Sequence, residues 1–384
     1  MMRHQGQAVT TGLLTAFVGY ASSVAVVLQG LAAMGATQAQ SASAVMAQCL
    51  AIGCLAVFLS WRTRMPVSIA WSTPGAAMMA ASAALPGGFA AAVGAFIVTG
   101  GLLVLAALWP LLGRLVRRIP ASVASAMLAG VLLKLCLAPF LALGSVPLLA
   151  LPVLLVWAVL MRLKRLWAVP VAAALALLLI ALTDPPVLPV PLLASPVMVM
   201  PLFDWQAVVG LALPLFLVTM ASQNIPGLTV LSGFGYRPEP RPLLLATGVA
   251  SVLVAPFGGL SINLAAITAA LCAGPEAGPD PARRWQAAVW SGLAYFALIP
   301  LGGLTAAVVL TAPPLLIQAV AGLALLGALG GALAGAVKEE GERLPALVTF
   351  LVAASGLTVW GIGAAFWGLV AGGVMSLILR WQPR

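Results

Sequence analysis

Basic residues occupy every second gap between the apolar stretches of this chain, and the intervening gaps contain none. Apolar stretches of helical length give fourteen candidate spans, at 8–33, 40–60, 66–85, 88–112, 120–140, 145–161, 166–183, 204–222, 242–256, 259–273, 285–311, 313–336, 344–360 and 362–379. Arg3 precedes the first; Arg62 and Arg64 follow the second, Arg114, Arg117 and Arg118 the fourth, and Arg162, Lys164 and Arg165 the sixth. The alternation continues with Arg237 and Arg241, Arg283 and Arg284, Lys338 and Arg343, and finally Arg380 and Arg384. Seventeen of the eighteen Lys and Arg residues therefore share one side. A missed or invented span would move every later loop to the other side, so the segregation requires an even number of crossings. The side rich in Lys and Arg is expected to be cytoplasmic, with both termini there.

Composition excludes the main alternatives. Of 384 residues, 63% are hydrophobic and 7% charged, with a mean hydropathy of +1.14. At ~20 residues per helical crossing, little is left for a soluble domain. The net charge of +10 follows from orientation rather than from nucleic-acid binding, because the cations are scattered at span ends. The N-terminus Met-Met-Arg-His-Gln-Gly-Gln has no cleavable signal pattern, so the first span is expected to stay. His4 is the only histidine, and Cys49, Cys54, Cys136 and Cys272 have no metal or redox spacing. No catalytic residue, metal site or cofactor is expected, and the cysteines read as packing residues. A phosphate-binding Gly-Lys-Ser/Thr loop is missing, which excludes ATP-driven transport by this chain alone.

Two spans are interrupted. Pro256, Gly258 and Gly259 break the tenth, and the sequence predicts a helix from Asn263 to Leu271 with Ser261 as its cap. Pro66-Val-Ser-Ile-Ala-Trp-Ser-Thr-Pro-Gly75 has the same order in the third span: a proline-led extended piece, a small polar hinge, then an Ala-rich helix. A second correspondence relates Ala21–Gly35 to Ala221–Gly235. Each interrupted span is third in a seven-span half, and an odd number of spans makes the halves inverted repeats. The two half-helices would then approach the midplane from opposite sides and turn unpaired N–H groups and positive dipole ends toward one point. Irregular backbone at that depth persists only where protein or a water-filled cavity satisfies it.

Pro66–Gly75, Ala221-Ser-Gln-Asn-Ile-Pro-Gly-Leu228 and Pro256-Phe-Gly-Gly-Leu-Ser-Ile-Asn-Leu-Ala265 carry a resemblance that covers nearly the whole chain. The chain resembles the benzoate/proton symporter family, within the seven-plus-seven inverted-repeat group that includes the uracil, xanthine and sulfate carriers. The fold this implies is an all-α polytopic membrane protein of fourteen transmembrane segments in two inverted seven-span repeats, with spans 3 and 10 interrupted. A core domain would comprise residues 1–112 and 204–311, and a gate domain residues 113–203 and 312–384. The expected activity is import of an aromatic carboxylate, benzoate with protons, across a bacterial inner membrane by elevator-like movement of the core. No enzyme activity is implied. Ser72, Thr73, Gln223, Asn224, Ser261, Ile262 and Asn263 would surround the substrate, with Tyr20 and Ser22 nearby. The expected partners are a small organic anion, protons, the lipid bilayer and a second copy of the chain, with no nucleic acid.

Several residue readings stay open on the sequence. Asn263, Gln223 and Asn224 suit either ligand contact or interhelical hydrogen bonding, and Ser72 and Thr73 suit a helix cap, a ligand contact or both. Tyr20, Trp71 and Phe257 could stack on a benzene ring or face lipid and neighbouring helices. Gly327, Gly331 and Gly335 read as a close helix contact. Lys134 is the lone cation inside a span, either snorkelling to the far interface or serving as a buried counter-ion. Asp184 and Asp204 flank a Pro-rich connection, and Glu239, Glu276, Asp280, Glu339, Glu340 and Glu342 fall in the basic loops, so no carboxylate lies at mid-membrane. The nucleobase carriers place an acid in the eighth span and often in the tenth. Here Gln223, Asn224 and Asn263 stand there, and an amide does not titrate. Unless Asp184 or Asp204 reaches inward, the remaining options are a proton carried by the acid itself, uniport, another coupling ion, a different anion or nucleobase, or a channel.

Overall fold

The computed structural model describes residues 2–82, 85–109, 120–183, 194–265, 267–311, 314–360 and 362–380. The expected domain divisions at 112/113 and 311/312, along with Arg114, Arg117, Arg118, Asp184 and Arg384, fall wholly or partly outside them. The first half runs α1 (Met2–Ala33), α2 (Gln38–Thr63), β1 (Ile69–Trp71), α3 (Thr73–Ala81), α4 (Gly88–Leu108), α5 (Ala121–Ser145), α6 (Pro147–Leu163) and α7 (Arg165–Thr183). The second half runs α8 (Trp205–Gly233), α9 (Pro240–Val254), β2 (Ile262–Leu264), α10 (Ile267–Ala273), α11 (Trp285–Leu298), α12 (Leu301–Thr311), α13 (Pro314–Ala336), α14 (Arg343–Ala354) and α15 (Ala364–Arg380). Among the described residues eight helices are individually long and apolar enough to cross a membrane. The others form the broken and shorter crossings that complete the fourteen-span, two-half order.

Four spans depart from their sequence expectation. The eighth does not end at residue 222 but continues to Gly233, passing Pro214 and Pro226 through π-helical turns at Val208–Ala212 and Met220–Asn224. A proline lacks the N–H that its preceding turn expects and its ring crowds the carbonyl four residues back, so widening that turn lets the helix continue. Span 11, expected as one helix over 285–311, bends by 66° near Ile299-Pro300. Span 13 stops at Ala354, and a tight hairpin with a Val359–Ile362 bridge follows. In span 10, residues Ile262–Leu264 are strand and the helix begins only at Ile267. The predicted helix from Asn263 capped by Ser261 is thus corrected: pairing with β1 satisfies this backbone, and tertiary contact overrides local helix propensity.

β1 and β2 form an antiparallel ribbon with Ile69 opposite Leu264, Ala70 opposite Asn263 and Trp71 opposite Ile262. The pairing extends past both strands through Ser72 N–H to Ser261 O (3.0 Å) and Ala265 N–H to Ser68 O (2.9 Å). Antiparallel strands are what two inverted crossings must present where they meet.

The most extensive helix packing falls into two groups, which α1 against α13 and α7 and α3 against α5 join. α5 lies against α13 and α14, α14 against α15, and α6 against α7; α9 lies on α4, α11 on α2, and α1 on both α11 and α3. The segment 194–203, ahead of α8, is bound to the second group. Val199 N–H reaches Pro256 O at 2.7 Å and Leu202 N–H reaches Ala90 O at 2.9 Å. Of the three glycines expected at a close contact, Gly327 and Gly331 face open space, and only Gly335 meets a neighbour, Ser125. Lys134 is exposed and lies deeper than expected because α5 continues to Ser145, ~16 Å beyond it at 1.5 Å per residue.

Candidate functional site

The ribbon crosses the buried middle of the second helix group, and side chains of neighbouring helices complete both its edges. On the β2 side, Ser251 of α9 accepts from Ile262 N–H at 2.8 Å, its own hydrogen lying toward Thr247 O at 2.8 Å with Ile262 O farther off at 3.2 Å, and Asn224 Oδ1 accepts from Leu264 N–H at 2.9 Å. On the β1 side, Ser60 donates to Val67 O at 3.1 Å, and the hydroxyls of Ser68 and Thr268 meet at 2.8 Å. An open sheet edge in hydrocarbon would leave these groups unpaired at a cost of several kcal/mol each. Gly227 lets α8 come this close: a Cβ there would stand 2.8 Å from Leu264 Cβ. Gly258, with φ +85°, makes the turn that feeds β2.

Antiparallel partners project to the same face and alternate residues to opposite faces. Ala70, Ser72, Ser261 and Asn263 therefore share one face, and Trp71 and Ile262 the other. Thr219 of α8 lies on the polar face, with its hydroxyl 2.9 Å from Ser72 Oγ and 3.1 Å from Ser261 Oγ. Ser72 also caps α3, accepting from Gly75 N–H at 3.3 Å, with Pro74 in the first turn. Asn263 donates through Nδ2 to Leu264 O at 2.9 Å, while its Oδ1 is buried without a hydrogen-bond partner. Ser72, Thr219, Ser261 and Asn263 are all 0% exposed.

The opposite face is aromatic. Trp71 is fully buried, with ring centroids 5.8 Å from Tyr20 and 6.3 Å from Tyr295, and its indole N–H donates to Ser23 Oγ at 2.8 Å. Tyr20 Oη bonds Thr305 Oγ1 at 2.7 Å, a partner that the bend before α12 brings into reach.

Of the residues expected at the site, Ser72, Ser261 and Asn263 come together on one face. Asn224 lies beside them as a tether whose amide oxygen is taken by Leu264. Gln223 is half-buried in the same π-turn, and Thr73 is half-buried at the start of α3. Ile262 and Tyr20 belong to the aromatic face. Ser22 bonds only its own helix, at Gly19 O (3.4 Å). Phe257 is half-buried in a 3-10 turn, its carbonyl accepting from Ser43 at 3.1 Å. Sequence reasoning missed Thr219, Ser251, Ser68 and Thr268. Thr219 carries the one signal that could have found it, standing one helical turn before Gln223 in an otherwise apolar run. α10 has seven residues and starts beyond Ala265, so its N-terminus does not meet α3 at the polar face as expected. Among the described residues no cluster of His, Cys, Asp or Glu could hold a metal.

A broken-span pair joined by an antiparallel ribbon is the fold of the seven-plus-seven anion transporters. The transmembrane domain of a cyanobacterial bicarbonate transporter, BicA, matches 99% of this chain and 98% of its own length with TM-score 0.61 at 16% identity. Murine Slc26a9, an anion transporter solved in its inward-facing state, matches 98% of this chain and 69% of its own length with TM-score 0.64 at 13% identity. At that level of identity the likeness defines the fold. The sequence defines the family: residues 3–378 match the family described as BenE, benzoate membrane transport protein, and the chain belongs to it. It is 32% identical over 380 residues to the benzoate membrane transport protein of Acinetobacter baylyi, covering 97% of this chain and 95% of that one. It is 42% identical over 373 residues to the inner membrane protein YdcO of Escherichia coli K12, with 96% and 95% covered. The chain is a polytopic membrane transport protein and not an enzyme.

Proposed function

We infer that this protein imports benzoate or a closely similar aromatic carboxylate, together with protons, across the bacterial inner membrane. The observation that carries the reading is the uncharged, fully buried polar face of Ser72, Ser261, Asn263 and Thr219 at the meeting point of two broken spans, in a chain of the benzoate transport family. Most small-molecule sites are apolar walls with a few convergent polar groups. A small recess of ≈ 30 Å³ lined by Met78, Ser82, Val131, Ala353, Thr358 and Ala365 lies between α3 and the α14–α15 hairpin. The helix group of spans 1–4 and 8–11 acts as the moving core and that of spans 5–7 and 12–14 as the gate, in an elevator-like cycle. The bonds of residues 194–203 to Ala90 and Pro256 support counting that segment with the core, whereas the expected division at residue 203 counts it with the gate. The basic loops and both termini are cytoplasmic by charge asymmetry, and a second copy of the chain is the expected partner.

The test is uptake of labelled benzoate by proteoliposomes under an imposed inward proton gradient, measured against protein-free liposomes. Accumulation above that background is expected. Uptake unaffected by collapsing the gradient would remove proton coupling and favour uniport, and failure to bind benzoate would move the substrate to another small anion or nucleobase. A channel of the same architecture would show conductance without accumulation.

A further inference from the structure

Among the described residues, the unpaired groups on the polar face of the ribbon are two donors, the Ser72 hydroxyl hydrogen and the second Asn263 Nδ2 hydrogen, and one wholly buried acceptor, Asn263 Oδ1. Ser72 Oγ receives two hydrogens, from Gly75 N–H at 3.3 Å and from Thr219 Oγ1 at 2.9 Å, which fills both of its lone pairs. Thr219 has a single hydroxyl hydrogen and gives it to Ser72, so Ser261 is the donor in the 3.1 Å contact between Ser261 and Thr219. The chain of hydroxyls runs from Ser261 through Thr219 to Ser72, and the Ser72 hydrogen is left without an acceptor among the described residues. Asn263 is the converse. Its Nδ2 faces the Leu264 carbonyl at 2.9 Å, which fixes the amide orientation because two carbonyl oxygens would repel there. Its Oδ1, wholly buried, is left needing a donor. The strand register sets Ser72 and Asn263 one residue pair apart on the same face.

An ionised carboxylate offers acceptors only. A carboxylate could accept from Ser72 and from the second Asn263 Nδ2 hydrogen, but it would leave the buried Asn263 Oδ1 without a donor, and a buried charge without a counter-ion is costly. A neutral carboxylic acid supplies both what Ser72 and what Asn263 Oδ1 need, with a carbonyl to accept and an O–H to donate. Titratable groups on the packed elements do not alter this balance. Tyr20 of α1, Cys49 of α2 and Tyr295 of α11 neighbour one another around Trp71, on the other face. Cys272 of α10 is bonded to Thr15, and on α5 Lys134 is exposed and Cys136 buried. Arg62 and Arg64 of α2, Asp204 at α8, Glu239 and Arg241 at α9, and Arg284 at α11 all stand at helix ends.

We propose that the site binds its substrate as the neutral, protonated acid, with the carbonyl accepting from Ser72 Oγ–H and the acid O–H donating to Asn263 Oδ1. The proton of symport then rides on the substrate, and no titrating side chain is needed. The carboxylate takes one proton from solution on the uptake side and returns it on the other, so each cycle moves one carboxylate and one proton, together as one neutral acid, and no net charge. This inference rests on the reading that the site takes an aromatic carboxylic acid.

The test is equilibrium binding to the purified full-length protein in detergent, since the neutral acid also crosses bilayers unaided. The apparent Kd for total benzoate is expected to rise nearly tenfold per pH unit above a carboxyl pKa of about 4, approaching 100-fold between about pH 5 and pH 7. Benzamide, which is neutral and presents the same carbonyl and an N–H donor, is expected to bind with a pH-independent Kd. Methyl benzoate, which lacks the donor, is expected to bind at least ~10-fold more weakly than benzamide. A benzoate Kd that stays flat with pH, a benzamide Kd that changes with pH in parallel with it, or equal binding of ester and amide overturns the inference while leaving the transport reading intact. No binding of benzoate or benzamide at pH 5 overturns the substrate reading and this inference with it.

Discussion

The two broken spans match in backbone and differ in how they are held. Span 3 passes directly from β1 into a nine-residue helix, with Ser72 serving at once as strand neighbour, helix cap and hydroxyl acceptor. Span 10 leaves its strand through Ala265 and enters a helix of only seven residues. It depends more on its neighbours: Ser251 takes the N–H of Ile262, and Asn224 takes the N–H of Leu264. A two-fold architecture thus carries an asymmetric site. The span 3 side contributes a donor already fixed by its helix, and the span 10 side contributes an acceptor fixed by its own main chain.

This contrast is open to direct attack. The largest effect is expected from Ser251→Ala, which leaves the buried Ile262 N–H unpaired and should cost ~2–3 kcal/mol. The matching change on the other edge, Ser60→Ala, removes one bond and should cost ~1 kcal/mol. Thermal unfolding in detergent measures both, and equal losses would show that the two strands are held alike. Next, Thr219→Val breaks the hydroxyl chain between the two spans, and benzoate affinity at pH 5 should fall ~10–100-fold, or ~1.4–2.8 kcal/mol. Thr219→Ser should restore most of it; a serine variant as weak as the valine one would mean that the methyl group matters rather than the hydroxyl. Asn263→Ala should weaken binding ~10-fold with normal membrane insertion, whereas Asn224→Ala should lower stability by ~1–2 kcal/mol with a smaller change in affinity. The reverse pattern would exchange their roles as ligand and tether. The smallest effect is expected from Gln206→Ala, which removes the 3.0 Å bond from α8 to the Trp360 carbonyl between α14 and α15. Being exposed, it should cost under ~1 kcal/mol, read as a modest change in transport rate.

Two other features connect the basic loops to the broken spans. Arg284 donates to Ala273 O at 2.8 Å and Gly278 O at 2.7 Å, so a residue expected only to orient the chain also closes the C-terminal end of α10. The Arg64 guanidinium lies 4.4 Å from the Trp285 ring centroid and joins the loop before β1 to α11. In the same loops Glu342 is buried, with Ser376 donating to its carboxylate at 3.2 Å.

Much of the architecture was legible in the sequence because its signals are local. Apolar length marks the spans, the alternation of Lys and Arg sets their parity, and Pro256, Gly258 and Gly259 forbid a continuous helix wherever they lie. The same breaks mark the third and tenth spans as interrupted, and the family resemblance named Ser72, Ser261 and Asn263 among the candidate site residues there. The tertiary structure decided what those residues do. Asn263 has good helical context and was expected in a helix, yet a partner strand from the other half of the chain takes its backbone and assigns its side chain to one face. That pairing separated Ile262 from its neighbours, turned Asn224 into a tether and brought in Thr219. Strand register is set between residues far apart in sequence, so no local pattern encodes it, and in this protein the register determines which polar groups are left for a substrate.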